Sequence, residues 1–150
     1  MPNSAEDFMR MALNEGRKAL PACLPNPPVG CVLVRDGQVV AKGFTQPPYQ
    51  PHAEAMALAQ VNGVLSDVTA YVTLEPCSFH GRTPACAPAL ANHGIKQVFV
   101  ALIDPDPRNS GAGIALLRSQ GVEVTVGLLA NEAIQDLGPY LTTAINVITK

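Results

Sequence analysis

Val29-Gly30-Cys31-Val32-Leu33-Val34-Arg35-Asp36-Gly37-Gln38-Val39-Val40-Ala41-Lys42-Gly43-Phe44 is the stretch that decides the fold. Two β-rich runs, 29–35 and 38–44, flank Asp36-Gly37, a dipeptide that accepts the positive φ angles of a two-residue turn. The reading is a tight antiparallel hairpin. Downstream, the alanine-rich segment His52-Ala53-Glu54-Ala55-Met56-Ala57-Leu58-Ala59 has high helix propensity, and Pro51 suits its first turn. Ala70-Tyr71-Val72-Thr73-Leu74 is a short β-rich run that stops at Glu75-Pro76. The alternation then repeats: a helix near 84–92, a strand over 97–102, a helix near 111–119 ending at Gly121, a strand over 122–126 and a helix near 130–137. Strands separated by helical segments of about ten residues imply βαβ crossovers and parallel pairing. Upstream, Phe8, Met11, Leu13 and Leu20 space a first helix over 4–20, and Ser4-Ala5-Glu6-Asp7 reads as its capping box. The predicted architecture is α/β: a hairpin followed by βαβαβ, a five-stranded mixed sheet with helices on both faces. The end, 138–150, is too apolar for a plain tail and is expected to cover the core or a subunit interface.

The length of 150 residues fits one compact domain, so 1–150 is read as a single unit. A domain of this size buries roughly 70% of the surface its unfolded chain exposes and needs no disulfide staples. The 10 Lys+Arg against 12 Asp+Glu give a net charge of −2, which argues against nonspecific phosphate binding, long nucleic acids and polybasic membrane attachment. No run approaches the roughly 18 apolar residues of a membrane span, and the acidic start is unlike a signal peptide. The expectation is a cytoplasmic protein with no membrane partner, in which Cys23, Cys31, Cys77 and Cys86 stay reduced. Fourteen prolines gather in loops such as 26–28, 47–51 and 104–107, where fixed φ angles favour a preorganised site.

The residues that carry chemistry are His52 and Glu54 at a helix start, Cys77 23 residues after Glu54, and then Cys86. One imidazole and two thiolates fill three positions of a tetrahedral Zn²⁺ site and leave the fourth for water, the arrangement of a catalytic zinc. Glu54, two residues from the histidine, is placed to take a proton from the activated water and deliver it to a leaving amine. Helix entries near Cys77 and Cys86 favour their negative charge. A closed structural zinc would need a fourth ligand, for which His80 is the nearest candidate. Cys23 and Cys31 invite a second metal site, but Cys31 sits in an apolar strand and reads as a small buried hydrophobe. His93 precedes Gly94 at a helix end, where its charge suits the C-terminus.

His-x-Glu followed by Pro-Cys resembles the zinc deaminase signature, with eight residues between the cysteines in place of two. That longer gap points to one branch. Asn26-Pro27-Pro28-Val29-Gly30, His52-Ala53-Glu54, Tyr71-Val72-Thr73-Leu74-Glu75-Pro76-Cys77-Ser78, Gly81-Arg82-Thr83-Pro84-Ala85-Cys86 and Asp104-Pro105 together resemble the pyrimidine deaminase domain of riboflavin biosynthesis. The likeness runs in order from about Met9 to about Gly127. It implies a cytidine deaminase-like three-layer α/β/α sandwich, zinc on His52, Cys77 and Cys86, and Glu54 as proton shuttle. It also implies Asn26 on the pyrimidine ring and Arg82 near a substrate phosphate.

The pocket departs from that family's pattern. Phe79 stands where the family has a histidine, with His80 beside it; Thr45 replaces another histidine, Tyr49 a glycine and Asp106 an asparagine. A lost polar contact costs on the order of 1–3 kcal/mol of recognition, so these positions bear on substrate choice. Phe79 and Tyr49 read equally as packing residues or as stacking platforms for a flat heterocycle. The leading expectation is deamination of the phosphoribosylated diaminopyrimidine of riboflavin biosynthesis. Alternatives are another small base, nucleoside or nucleotide, or a catalytically silent zinc-binding regulatory subunit. Family resemblance favours a homo-oligomer, a dimer or tetramer. Gly111-Ala112-Gly113 lacks the third glycine of a dinucleotide fingerprint, so a reduction step is assigned to a separate reductase.

Overall fold

A computed structural model of the chain describes residues 4–78 and 85–149, with side chains on the final helix as far as Leu141. Its elements run α1 (Ala5–Arg17), β1 (Gly30–Arg35), β2 (Gln38–Phe44), α2 (Ala53–Leu58), β3 (Val68–Leu74), α3 (Cys86–Asn92), β4 (Gln97–Leu102), α4 (Ala112–Ser119), β5 (Glu123–Val126) and α5 (Ala130–Thr149). The strands form one sheet in the order β2-β1-β3-β4-β5. β1 is antiparallel to both β2 and β3, whereas β3, β4 and β5 are parallel, giving the expected mixed sheet.

The hairpin turn forms as its dipeptide dictates, with Asp36 at φ 52° and Gly37 at φ 74°. Strand β1 is apolar and buried from Gly30 to Val34 because both of its faces are covered, and only Arg35 at its end is charged. Cys31 and Leu33 join a core under α2, α3 and α4 with Val72, Val98 and Leu117. Val32 and Val34 face the opposite side and meet Phe8 and Met9 of α1 and Leu137 of α5. There Tyr71 stacks on Phe99 at 4.9 Å between ring centroids and meets Phe8 at 5.4 Å. The result is three layers, α/β/α.

Helix α1 begins with the expected capping box, Ser4 and Asp7 exchanging backbone and side-chain hydrogen bonds. It stops at Arg17, short of the predicted Leu20. Helix α5 differs more: it continues through Gly138-Pro139, where the sequence placed an end near 137. Proline donates no hydrogen bond to the preceding turn and costs a helix interior about 3 kcal/mol. Burial of Leu137, with Leu141 one turn later packed against the same core, outweighs that local penalty. Tertiary packing thus overrides a local breaker.

Two glycines let helices sit close to the sheet. A Cβ at Gly30 would overlap the Ala12 carbonyl oxygen of α1, and one at Gly43 would overlap the Ala53 carbonyl oxygen of α2. The second approach fixes where the first turn of α2 lies.

Candidate active site

His52 is the N-cap of α2, in extended backbone with φ −75° and ψ 171°, and Glu54 lies in the helix's first turn. Cys77 follows β3 in the loop after Leu74, while Cys86 is the first residue of α3. Cys77 therefore sits beyond a strand, not at a helix entry of its own. It nonetheless meets one in space, because its sulfur accepts the Cys86 N–H at 3.2 Å and its carbonyl accepts the Ala87 N–H at 2.9 Å. The sulfur thus caps the N-terminus of α3, where partial positive charge favours thiolate.

The three donors converge. His52 Nδ1 lies 3.5 Å from Cys86 Sγ and 3.9 Å from Cys77 Sγ, and all three ligand atoms fall within 4.8 Å of one another. A tetrahedral zinc with ordinary Zn–N and Zn–S bond lengths sets its ligand atoms roughly 3.5–3.8 Å apart, so this donor set fits the ion in spacing and in chemistry. Among the described residues this is the cluster able to hold a metal. Cys23 and Cys31 are fully buried thiols, and burial raises the pKa of both.

Charges within the cluster are interdependent. The Cys86 side chain hydrogen-bonds Cys77 and, with help from His52, pulls the Cys77 thiol down to about 4. Cys86 moves the other way, because the thiol that donates to Cys77 retains its proton and is itself buried. Hydrogen bonding to Cys77 raises His52. Glu54 is 4% exposed, and burial is the main cause of its rise to about 7; the Cys77 charge adds to the rise and His52 opposes it. A carboxyl with that affinity for a proton is suited to taking one and returning it near neutral pH.

The remaining sequence candidates are spread around this cluster. Thr45 is buried: its Oγ1 accepts the Val29 N–H at 3.0 Å and donates to the Pro27 carbonyl at 3.0 Å. Its hydroxyl thus ties the end of β2 to the loop that carries Asn26. Asn26 is half-buried, its N–H bonded to the Cys23 carbonyl at 2.9 Å. Tyr49 is 70% exposed with φ 72°, in the loop between β2 and α2. Asp106 is buried and ion-paired with Arg108 at 2.6 Å. Phe79, His80 and Arg82 lie outside the described residues.

Two buried polar residues beside Cys77 were not among the sequence candidates. Glu75 accepts three backbone N–H groups, and Asn109, with no exposed surface, bonds the chain on either side of Cys77. The available signal was an acid directly after an apolar strand, and an asparagine just past the Asp104-Pro105 loop.

The family model for the cytidine and deoxycytidylate deaminase zinc-binding region matches residues 2–102. Riboflavin biosynthesis protein RibD of Chlamydia pneumoniae is 45% identical over 134 residues, 89% of this chain and 36% of its own. The solved structure of Acinetobacter baumannii RibD superposes with a TM-score of 0.86 at 39% identity, over 93% of this chain and 39% of that one. A diaminohydroxyphosphoribosylaminopyrimidine deaminase/5-amino-6-(5-phosphoribosylamino)uracil reductase from Thermotoga maritima also gives 0.86, at 38% identity, over 95% of this chain and 41% of that one. This chain thus spans about two fifths of the length of these relatives. With the three-layer sandwich, the His-x-Glu helix start and the converging cysteines, these matches make the chain a member of the cytidine and deoxycytidylate deaminase family.

Proposed function

We propose that the chain is a zinc-dependent hydrolytic deaminase of an aminopyrimidine-type heterocycle, and that its substrate is the diaminohydroxyphosphoribosylaminopyrimidine of riboflavin biosynthesis. The observation that carries this reading is the convergence of His52 Nδ1, Cys77 Sγ and Cys86 Sγ with the buried Glu54 in the same helix turn. His52, Cys77 and Cys86 would hold the zinc ion, which when bound supplies Lewis acidity toward water. Glu54 takes a proton from the attacking water on a carboxylate oxygen and passes it to the departing amine, so ammonia leaves and the ring gains a carbonyl. Burial of Glu54 keeps bulk water from competing for that proton.

Asn26 would orient the ring from the loop that Thr45 secures. Arg82 would meet the phosphate, and Phe79, His80 and Tyr49 would line the rest of the pocket. Substrate contacts at these positions are inferred from the order of motifs along the chain. Only the deaminase step is assigned to residues 1–150, as one domain, and a reductase would act on the product. The 38–45% identity to the relatives above supports the riboflavin-pathway substrate over other bases.

The test is ammonia release from that aminopyrimidine phosphate by metal-quantified protein, with Glu54→Ala alongside. Turnover by the parent and its loss by at least about 100-fold in Glu54→Ala, with zinc still bound, is expected. A parent that holds one zinc per chain yet turns over other heterocyclic amines would overturn the substrate. Near-parental turnover in Glu54→Ala would overturn the role of that carboxyl.

A further inference from the structure

The segment Pro76-Cys77-Ser78 belongs to no helix or strand, yet it must set one sulfur to within a few tenths of an ångström if Cys77 is to share an ion with His52 and Cys86. What holds it comes from the loop between β4 and α4. Asn109 donates through Nδ2 to the Pro76 carbonyl at 3.3 Å and accepts the Ser78 N–H on Oδ1 at 3.0 Å, so one side chain grips the backbone immediately before and after Cys77. Both partners lie on the main chain, so the grip fixes the segment whatever side chains flank it.

Asn109 is itself held. Its Nδ2 also lies 3.3 Å from Asp104 Oδ2, and its N–H donates to the Asp106 carbonyl at 2.9 Å. Glu75, 3% exposed, ties the same loop to the end of β3 by accepting the N–H groups of Asp104 at 3.1 Å, Gly111 at 3.0 Å and Ile114 at 3.0 Å. Gly113 completes the contact, since a Cβ there would overlap the Pro76 carbonyl oxygen.

We propose that Asn109, anchored through Asp104 and the Glu75 carboxylate, is a positioning residue that sets Cys77 for metal binding. The inference rests on the proposed zinc site. Polar partners that orient ligands change metal affinity when removed, and a residue serving stability alone does not.

The test compares zinc affinity, by chelator competition, and the cobalt(II) thiolate absorption band in the full chain carrying Asn109→Ala or Val34→Ala. Val34 lies in the core on the opposite sheet face, and its truncation is the stability control. Asn109→Ala is expected to weaken zinc binding about 10- to 100-fold and to alter the cobalt band, while Val34→Ala lowers Tm and leaves both unchanged. Should Asn109→Ala fail to fold, Asn109→Asp, which keeps the acceptor for Ser78 and loses the donor to Pro76, is expected to weaken zinc binding in the same direction. Affinity within about twofold of the parent in the folded Asn109 variant, or equal weakening by Val34→Ala, would overturn the inference. A parent chain that binds no zinc would overturn the proposed function and this inference with it; zinc held equally by parent and Asn109 variant overturns this inference alone.

Discussion

At the scale of single residues, the same kind of buried acid stands beside a candidate metal cluster in one place and ties loops together in another, and its hydrogen-bond partners separate the two. Glu54 and Glu75 are both buried acids. Glu75 accepts three backbone N–H groups, whereas Glu54 lies against the His52–Cys77 pair and is driven upward by burial. Thr45 was a substrate candidate from its place in the motif order, and its hydroxyl spans the Val29 N–H and the Pro27 carbonyl. Thr45→Val keeps the shape and loses the hydroxyl's two hydrogen bonds, while the Val29 N–H and the Pro27 carbonyl still bond each other at 3.0 Å, so it is expected to cost about 0.5–1.5 kcal/mol of stability in urea unfolding. The His52, Cys77 and Cys86 group was legible as one able to hold a metal because metal ligation restricts residue type. Asn109 was not, because the groups it holds around Cys77 are backbone atoms that leave no trace in the residues they belong to.

Among the elements, α2 matters most to the site, because its six residues carry Glu54 and its N-cap is His52. Its position is set by Gly43 on β2, whose missing side chain admits the Ala53 carbonyl. Gly43→Ala should push α2 outward and weaken zinc binding and turnover together with stability. Gly37→Ala is the contrasting variant: at φ 74° in the hairpin turn, with open space around it, it is expected to cost about 1–2 kcal/mol while zinc affinity holds. Parallel measurement of Tm and zinc affinity on the two variants separates the effects. The hairpin and the βαβ alternation could be read from turn chemistry and hydrophobic runs. The length of α5 could not, because Gly138-Pro139 signals a stop that only the packing of Leu137 and Leu141 outweighs.

For the molecule as a whole, the three proposed ligands come from two helix starts and a strand exit, so an ion held among them joins α2, β3 and α3. Binding to the folded state alone adds stability by mass action, about 2.7 kcal/mol at a free ion concentration 100 times Kd. For a chain of this size, chelation is then expected to lower Tm by about 5–10 °C, with recovery on adding zinc back. Cys77→Ser should show a much smaller response in the same thermal scans. Among the described residues no helix is long and apolar enough to cross a membrane.

The sequence by itself determined the α/β class, the hairpin, the order of strands and helices, and the residue types that could bind a metal and move a proton. These are local properties: turn dipeptides, the period of apolar residues and the chemistry of particular side chains. Only the tertiary structure decided that His52 Nδ1 comes within 3.5 Å of Cys86 Sγ across 34 residues of chain, and that Asn109 closes on the backbone around Cys77 from 31 to 33 residues away. The physical reason is that such distances follow from how the two helical layers seat on the sheet. Seating is fixed by close packing over many residues at once, with glycines where backbones touch and buried carboxylate and amide groups where loops must be tied.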